Sequence, residues 1–306
     1  MMEVPGLTDP SVFDAVCADA DARGGFSLRL SQHVVAWLPD GNRRLCISFD
    51  NLAADREGDR RYPWGYAFLA AGGWDVMGVM MRKPDWFRAP DLWDTFDRLR
   101  DEGFFARYSQ VSLYGTSMGA YGAATFARAV AGATVVAFAP QTTLVRRVVP
   151  FERRYRAIRE IPEWGTPYAD AADSLKTVAK AYVFYDPCVP QDRAHAARLA
   201  GPGVVLLKVP HAGHKIPPML QRAGILKTVS TAALKGSLTP TSFARMWRSR
   251  HTAMPWIINL LAAAAARGHG RLALRVAERL MRQKRHWKLG ALIREMRSVS
   301  SGSARS

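Results

Sequence analysis

The chain has 306 residues, 48% of them hydrophobic, and 43 Lys and Arg against 26 Asp and Glu give a formal net charge of +17. Its 9 Trp, 9 Tyr and 13 Phe exclude a disordered chain, and its three cysteines, Cys17, Cys46 and Cys188, exclude a disulfide scaffold. The longest apolar run, Met254 to Ala266, has 13 residues including Asn259, short of the roughly 20 that span a bilayer. The opening MMEVPGLTDP has neither the basic nor the apolar region of a signal peptide, so the expected compartment is the cytoplasm.

The charge is uneven. From Gly236 to the end there are 12 Arg and 2 Lys against Glu278 and Glu295, which places +12 of the +17 in that stretch. The shift predicts a boundary near Lys235 to Thr241, where LKGSLTPTS supplies turn residues. Two units follow: 1–235, near neutral, and 236–306, basic and helical.

In chain order, a helix is predicted around Val12 to Ala22, after a loose start. Phe26 to Trp37 reads as one strand, joined through the turn Pro39-Asp40-Gly41-Asn42 to Leu45–Phe49 as a hairpin. Strands at Trp74–Met80, Gln110–Tyr114, Val135–Ala139, Ala181–Tyr185 and Val204–Val209 then alternate with helices at Pro63–Ala71, Leu92–Glu102, Ala120–Ala131 and Ala194–Leu199. That rhythm predicts an α/β fold, a mostly parallel, doubly wound sheet with helices on both faces. The stretch Thr142 to Lys180 breaks the rhythm and reads as an insertion between two strands.

The sharpest local signal is Gly115-Thr116-Ser117-Met118-Gly119, at the junction of an apolar strand and a small-residue helix. A serine on so tight a strand-to-helix turn needs glycine two positions before and after it. The turn also puts a helix N-terminus behind the serine, where the Met118 amide can stabilise an oxyanion. The bland alternative is an ordinary glycine-rich turn.

A serine hydroxyl needs a base, and the base needs an orienting carboxylate. Downstream strands deliver Asp186-Pro187-Cys188-Val189-Pro190 and Pro210-His211-Ala212-Gly213-His214. With GTSMG, DPCVP and HAGH in this order, each at a strand end, residues 26–225 resemble the α/β-hydrolase family. The resemblance implies Ser117 as nucleophile, Asp186 as orienting acid and His214 as base. Asp192 competes with Asp186, although a helix N-cap explains it better. His211 competes with His214, which sits where the family's histidine usually lies. A zinc site built from His195, His211 and His214 has no supporting ligand pattern, so no metal or cofactor is expected.

The chain departs from the family after the third strand, where Ser48-Phe49-Asp50-Asn51-Leu52 lacks the usual His-Gly. The second oxyanion amide then falls to Asn51 or Leu52. Asp50 either brings negative charge to the oxyanion or points away and caps the loop.

The insertion at about 142–180 lies where this fold often carries a lid. Arg146 to Glu163 holds six Arg and three Glu. It reads either as a lid for an anionic substrate or as a solvated helix with Arg paired to Glu152, Glu160 and Glu163. The tail reads as helices over Pro240–Arg250, Pro255–Ala266, Arg271–Lys284 and Trp287–Arg297, ending in a frayed SVSSGSARS. Arg271, Arg275, Arg279, Arg282 and Arg285 form a stripe that suits an anionic partner or is merely solvated. No motif for sequence-specific nucleic-acid binding accompanies it. The expected activity is a serine esterase, thioesterase or acyltransferase acting on a small-molecule or acyl-carrier ester. The rival is a catalytically degenerate hydrolase-like scaffold whose basic tail does the work.

Overall fold

The computed structural model describes residues 9–52, 61–160, 162–165, 167–283 and 285–302. Among them, eight strands form one sheet in the order β1-β2-β4-β3-β5-β6-β7-β8. They are β1 (Phe26–Arg29), β2 (His33–Leu38), β3 (Arg44–Phe49), β4 (Asp75–Met81), β5 (Gln110–Thr116), β6 (Thr134–Phe138), β7 (Lys180–Tyr185) and β8 (Val204–Lys208). Strands β1 and β2 are antiparallel to their neighbours, and every pairing from β4 to β8 is parallel. The α/β class and the mostly parallel sheet are as the sequence predicts.

One local expectation is overturned. Phe26 to Trp37 is two strands, which make their own hairpin. The predicted hairpin between β2 and β3 is not formed, because β4 lies between them. Asp75, at the start of β4, accepts the amides of Asp40 and Asn42 at 2.8 and 2.9 Å. The Pro39–Asn42 segment is thereby pinned to the intervening strand rather than closing a tight turn.

Alternate side chains of the buried strands feed two cores. On one face Ile47, Phe49, Leu113, Val135 and Ala137 pack with Ala123 and Phe126 of α4 (Met118–Phe126). On the other, Cys46, Tyr114, Val136, Phe138 and Phe184 pack with α7 (Ile216–Arg222) and α8 (Leu226–Leu234). The remaining helices are α1 (Asp14–Ala22), α2 (Tyr66–Ala71), α3 (Pro90–Asp101), α5 (Ala171–Ser174), α6 (Pro190–Arg198), α9 (Pro240–Met246), α10 (Met254–Ala264), α11 (Gly270–Gln283) and α12 (Trp287–Gly302).

Packing runs across the boundary expected near Lys235. Phe243 and Trp247, with Trp256 of α10, belong to the second core, and Phe243 meets Phe184 at 5.4 Å between ring centroids. A separate apolar cluster begins only with Leu261, which packs with Ala273, Ala277, Leu289, Leu292 and Ile293. The charge step and the packing step therefore lie some way apart. Fraying was expected over residues 298–306; α12 instead continues through Gly302, and residues 303–306 lie outside the described residues.

Candidate active site

Strand β5 ends at Thr116, and Ser117 follows with φ 53° and ψ −118° before α4 starts at Met118. A non-glycine residue at positive φ is strained and persists only where its surroundings enforce it. Here the Ser117 amide donates to the Phe138 carbonyl at 2.8 Å, tying the turn to β6. A Cβ at Gly115 would lie 2.1 Å from the Gly119 carbonyl oxygen, and one at Gly119 would lie 2.5 Å from the carbonyl oxygens of Phe49 and Asp50. Both glycines are thus required by close backbone approach. The second contact also seats the end of β3 against the start of α4.

Ser117 Oγ lies 2.8 Å from His214 Nε2, and His214 Nδ1 lies 2.8 Å from Asp192 Oδ2. With Nδ1–H directed at that carboxylate, Nε2 is left to accept the serine proton.

The carboxylate on His214 is therefore Asp192, not Asp186. Helix α6 starts at Pro190 with Val189 as its N-cap, so Asp192 sits inside the first turn rather than capping it. Side chains lean toward a helix's N-terminal end, and this one leans to the loop after β8. Asp192 is buried, and the helix dipole favours its charge.

Asp186 has a different task. Its Oδ1 accepts the amides of Cys188 and His211 at 2.8 and 3.1 Å, and its Oδ2 accepts that of Gly213 at 2.7 Å. It binds the loop after β7 to the loop carrying His214. The His211 ring turns away, its Nδ1 3.7 Å from Cys188 Sγ. The His211 and Pro210 carbonyls accept from Asn259 and Trp256 of α10 at 2.9 and 2.8 Å.

Of the predicted oxyanion residues, Met118 opens α4, where amides have no partner within the helix. Asn51 is buried and Leu52 half-buried, beside the β3 end that rests on Gly119. Asp50 points away. Its carboxylate pairs with Arg61 and accepts the Met81 amide at 3.0 Å.

The insertion supplies residues that sequence reasoning did not assign to the site. Arg154 Nη1 donates to Asp192 Oδ1 at 2.9 Å and lies 3.4 Å from His214 Nδ1. Its Nε and Nη2 donate to Glu152 at 2.5–3.0 Å. Glu152 in turn faces His195 Nε2 at 3.3 Å. The Thr142 amide donates to His195 Nδ1 at 3.1 Å, so Nε2 carries the proton toward Glu152. Burial acts to raise the Glu152 carboxyl, but bonds from His195 and Arg154 outweigh it and hold the group at about 2. Burial pushes the His195 imidazole down, against the pull of Glu152.

Tyr155 is buried, its ring 4.7 Å from that of Trp86. Burial raises its phenol, so it stays protonated. By contrast Arg146, Arg147, Arg153 and Arg156 are exposed. The alternation of arginines with aromatics was the available signal, but nothing in it singles out Arg154.

Among the described residues no group of three or more His, Cys, Asp or Glu could hold a metal ion, and no helix is long and apolar enough to cross a membrane.

No protein-family model matches the chain, and no curated protein does. Among solved structures it is similar to the Pyrococcus furiosus esterase Pf2001, with 13% identity over 70% of this chain and 91% of that one and a TM-score of 0.45. It is also similar to the capsule O-acetyltransferase of Neisseria meningitidis serogroup A, with 11% identity over 66% and 93% and a TM-score of 0.42. The strand order, with antiparallel pairing confined to β1–β2 and β2–β4 and every other pairing parallel, is that of the α/β-hydrolase fold.

Proposed function

We propose that the chain is a serine hydrolase acting on an ester or thioester, with Ser117 as nucleophile, His214 as base and Asp192 as the orienting acid. The observation that carries this reading is the 2.8 Å contact of Ser117 Oγ with His214 Nε2 at a strained elbow.

In the proposed reaction His214 Nε2 takes the Ser117 proton as Oγ attacks the acyl carbonyl carbon. Asp192 stabilises the imidazolium through Nδ1. The Met118 amide and one from Asn51 or Leu52 hold the oxyanion, each contributing about 10²- to 10³-fold in such sites. Collapse expels the alkoxide or thiolate, which takes the proton from His214. Water, or an alcohol acceptor in acyl transfer, then attacks the acyl carbon as His214 takes its proton, and collapse breaks the bond to Ser117 Oγ, which takes that proton back from His214. Arg154, anchored by Glu152, fixes the second oxygen of Asp192 and so the direction of the first.

The test is labelling by a fluorophosphonate together with hydrolysis of short p-nitrophenyl esters. The native chain is expected to label and to turn over, and Ser117→Ala to do neither. Equal rates for both proteins, or no labelling of the native chain, would sink the reading.

A further inference from the structure

The last two helices carry two features that the proposed chemistry does not use. Four large apolar side chains are exposed among the described residues, and three of them lie here: Leu272 at 56%, Val276 at 40% and Trp287 at 76%. Beside them, Arg271, Arg275, Arg279 and Arg282 are all exposed. At about 100° per residue, these arginines span roughly 80° of the helix surface, and Leu272 and Val276 occupy the sector next to them. Ala273 and Ala277 turn the other way, buried against α12.

Among the described residues no carboxylate forms an ion pair with these four arginines, although Glu278 lies beside them on α11. Glu278 is engaged by Arg297 at 2.5 Å. Where α11 meets α12, a groove of about 740 Å³ is lined by Met281, Arg282, Arg285, His286, Trp287 and Arg294, with no carboxylate among its residues. Like charges three and four residues apart repel along a helix, and exposed aliphatic side chains keep their hydration penalty. The repulsion opposes the folded state in water, and the exposed apolar side chains add nothing to its stability.

One kind of surface relieves both, with negative charge outermost and an apolar layer beneath. A nucleic acid offers phosphates but no apolar layer for Leu272 and Val276. We propose that this face of the α11–α12 hairpin is a docking surface for an anionic phospholipid bilayer. Leu272, Val276 and Trp287 sink into the interface while the arginines pair with headgroup phosphates. The hairpin lies in the plane of the surface and does not cross it. This proposal is independent of the catalytic one.

Co-sedimentation of the full chain with vesicles tests it. Phosphatidylcholine vesicles mixed with phosphatidylglycerol are expected to carry the protein down, and pure phosphatidylcholine vesicles to leave it in solution. Arg275→Gln/Arg279→Gln should weaken binding by more than roughly tenfold. Leu272→Gln/Val276→Gln, with all charges retained, should weaken it by a similar factor. Glutamine is a good helix former, so both variants should fold, which matched thermal unfolding will verify. Three results would overturn the proposal: no binding to the anionic vesicles, native-like binding by the leucine–valine variant, or binding of a short RNA at the same salt that exceeds binding to the vesicles.

Discussion

The Arg154 guanidinium lies 2.9 Å from the Asp192 carboxylate oxygen that His214 does not use. A segment of the insertion thus fixes the carboxylate that faces His214. Arg154→Met removes a charge-assisted hydrogen bond and leaves Glu152 without its main partner. Such bonds contribute about 1.5–3 kcal/mol, so kcat/KM is expected to fall roughly 10- to 100-fold. Arg154→Lys should recover part of this, and steady-state kinetics on one ester compare the three proteins.

Two aspartates six residues apart should separate cleanly. Asp192→Asn is expected to lower kcat by about 10⁴-fold, as loss of the orienting carboxylate does in such triads. Asp186→Asn should act first on the loops, since Asp186 accepts three backbone amides. Its signature is a lower Tm and a smaller loss of kcat. Unfolding curves and initial rates on both variants check the assignment, and the opposite pattern would return the role to Asp186.

Acid should loosen the insertion. Glu152 is held at about 2 in the folded protein, below its ordinary 4.5. Its contribution is complete above pH 4.5 and is lost as pH falls toward 2, amounting to about 3 kcal/mol at most by linkage. The His195 imidazole is depressed from 6.5 by burial, so its contribution is present above pH 6.5 and declines as the medium becomes more acidic. The Tm is therefore expected to fall on acidification from pH 6.5, and more steeply below pH 4.5. Glu152→Gln should flatten the lower part of that curve, as calorimetry across the range will show.

At the elbow, Gly119→Ala places a methyl group 2.5 Å from two carbonyl oxygens of the β3 end. Overpacking of this kind costs about 1–3 kcal/mol. Because the displaced segment leads into Asn51 and Leu52, kcat should fall more than KM changes. A variant with native kcat would remove those residues from the oxyanion site.

Phe243→Ala should unmask the core that crosses the charge boundary. Emptying a buried Phe site costs about 3–5 kcal/mol, and Phe243 packs on Phe184 of β7. Urea unfolding measures it; a change below 1 kcal/mol, the usual scale of a surface substitution, would mean that the tail merely rests on the sheet.

Much of the site is readable from the chain, and its gaps have physical causes. Ser117 and its glycines are legible because a tight strand-to-helix turn needs glycine at that spacing. His214 is legible because a short small-residue loop carries it off a strand. Asp192 was passed over because helix α6 begins four residues earlier than the predicted Ala194, which moves the side chain from a capping position into the first turn. Arg154 is one of six similar arginines, and only tertiary contact distinguishes it. The false hairpin has the same origin, since strand partnership between β2 and β4 is a long-range choice that local turn residues cannot reveal. Net charge marks surfaces, so it located the α11 stripe and missed the core residues just before it.

The bonds from Trp256 and Asn259 to the carbonyls of Pro210 and His211 carry a practical consequence. Anyone trimming the protein at the charge step would remove the two braces that hold the histidine loop from behind. An inert fragment ending at Lys235 would then report a collapsed scaffold rather than absent chemistry. Protein engineers seeking a minimal version should cut after α10, where the braces are retained and the basic hairpin alone is discarded.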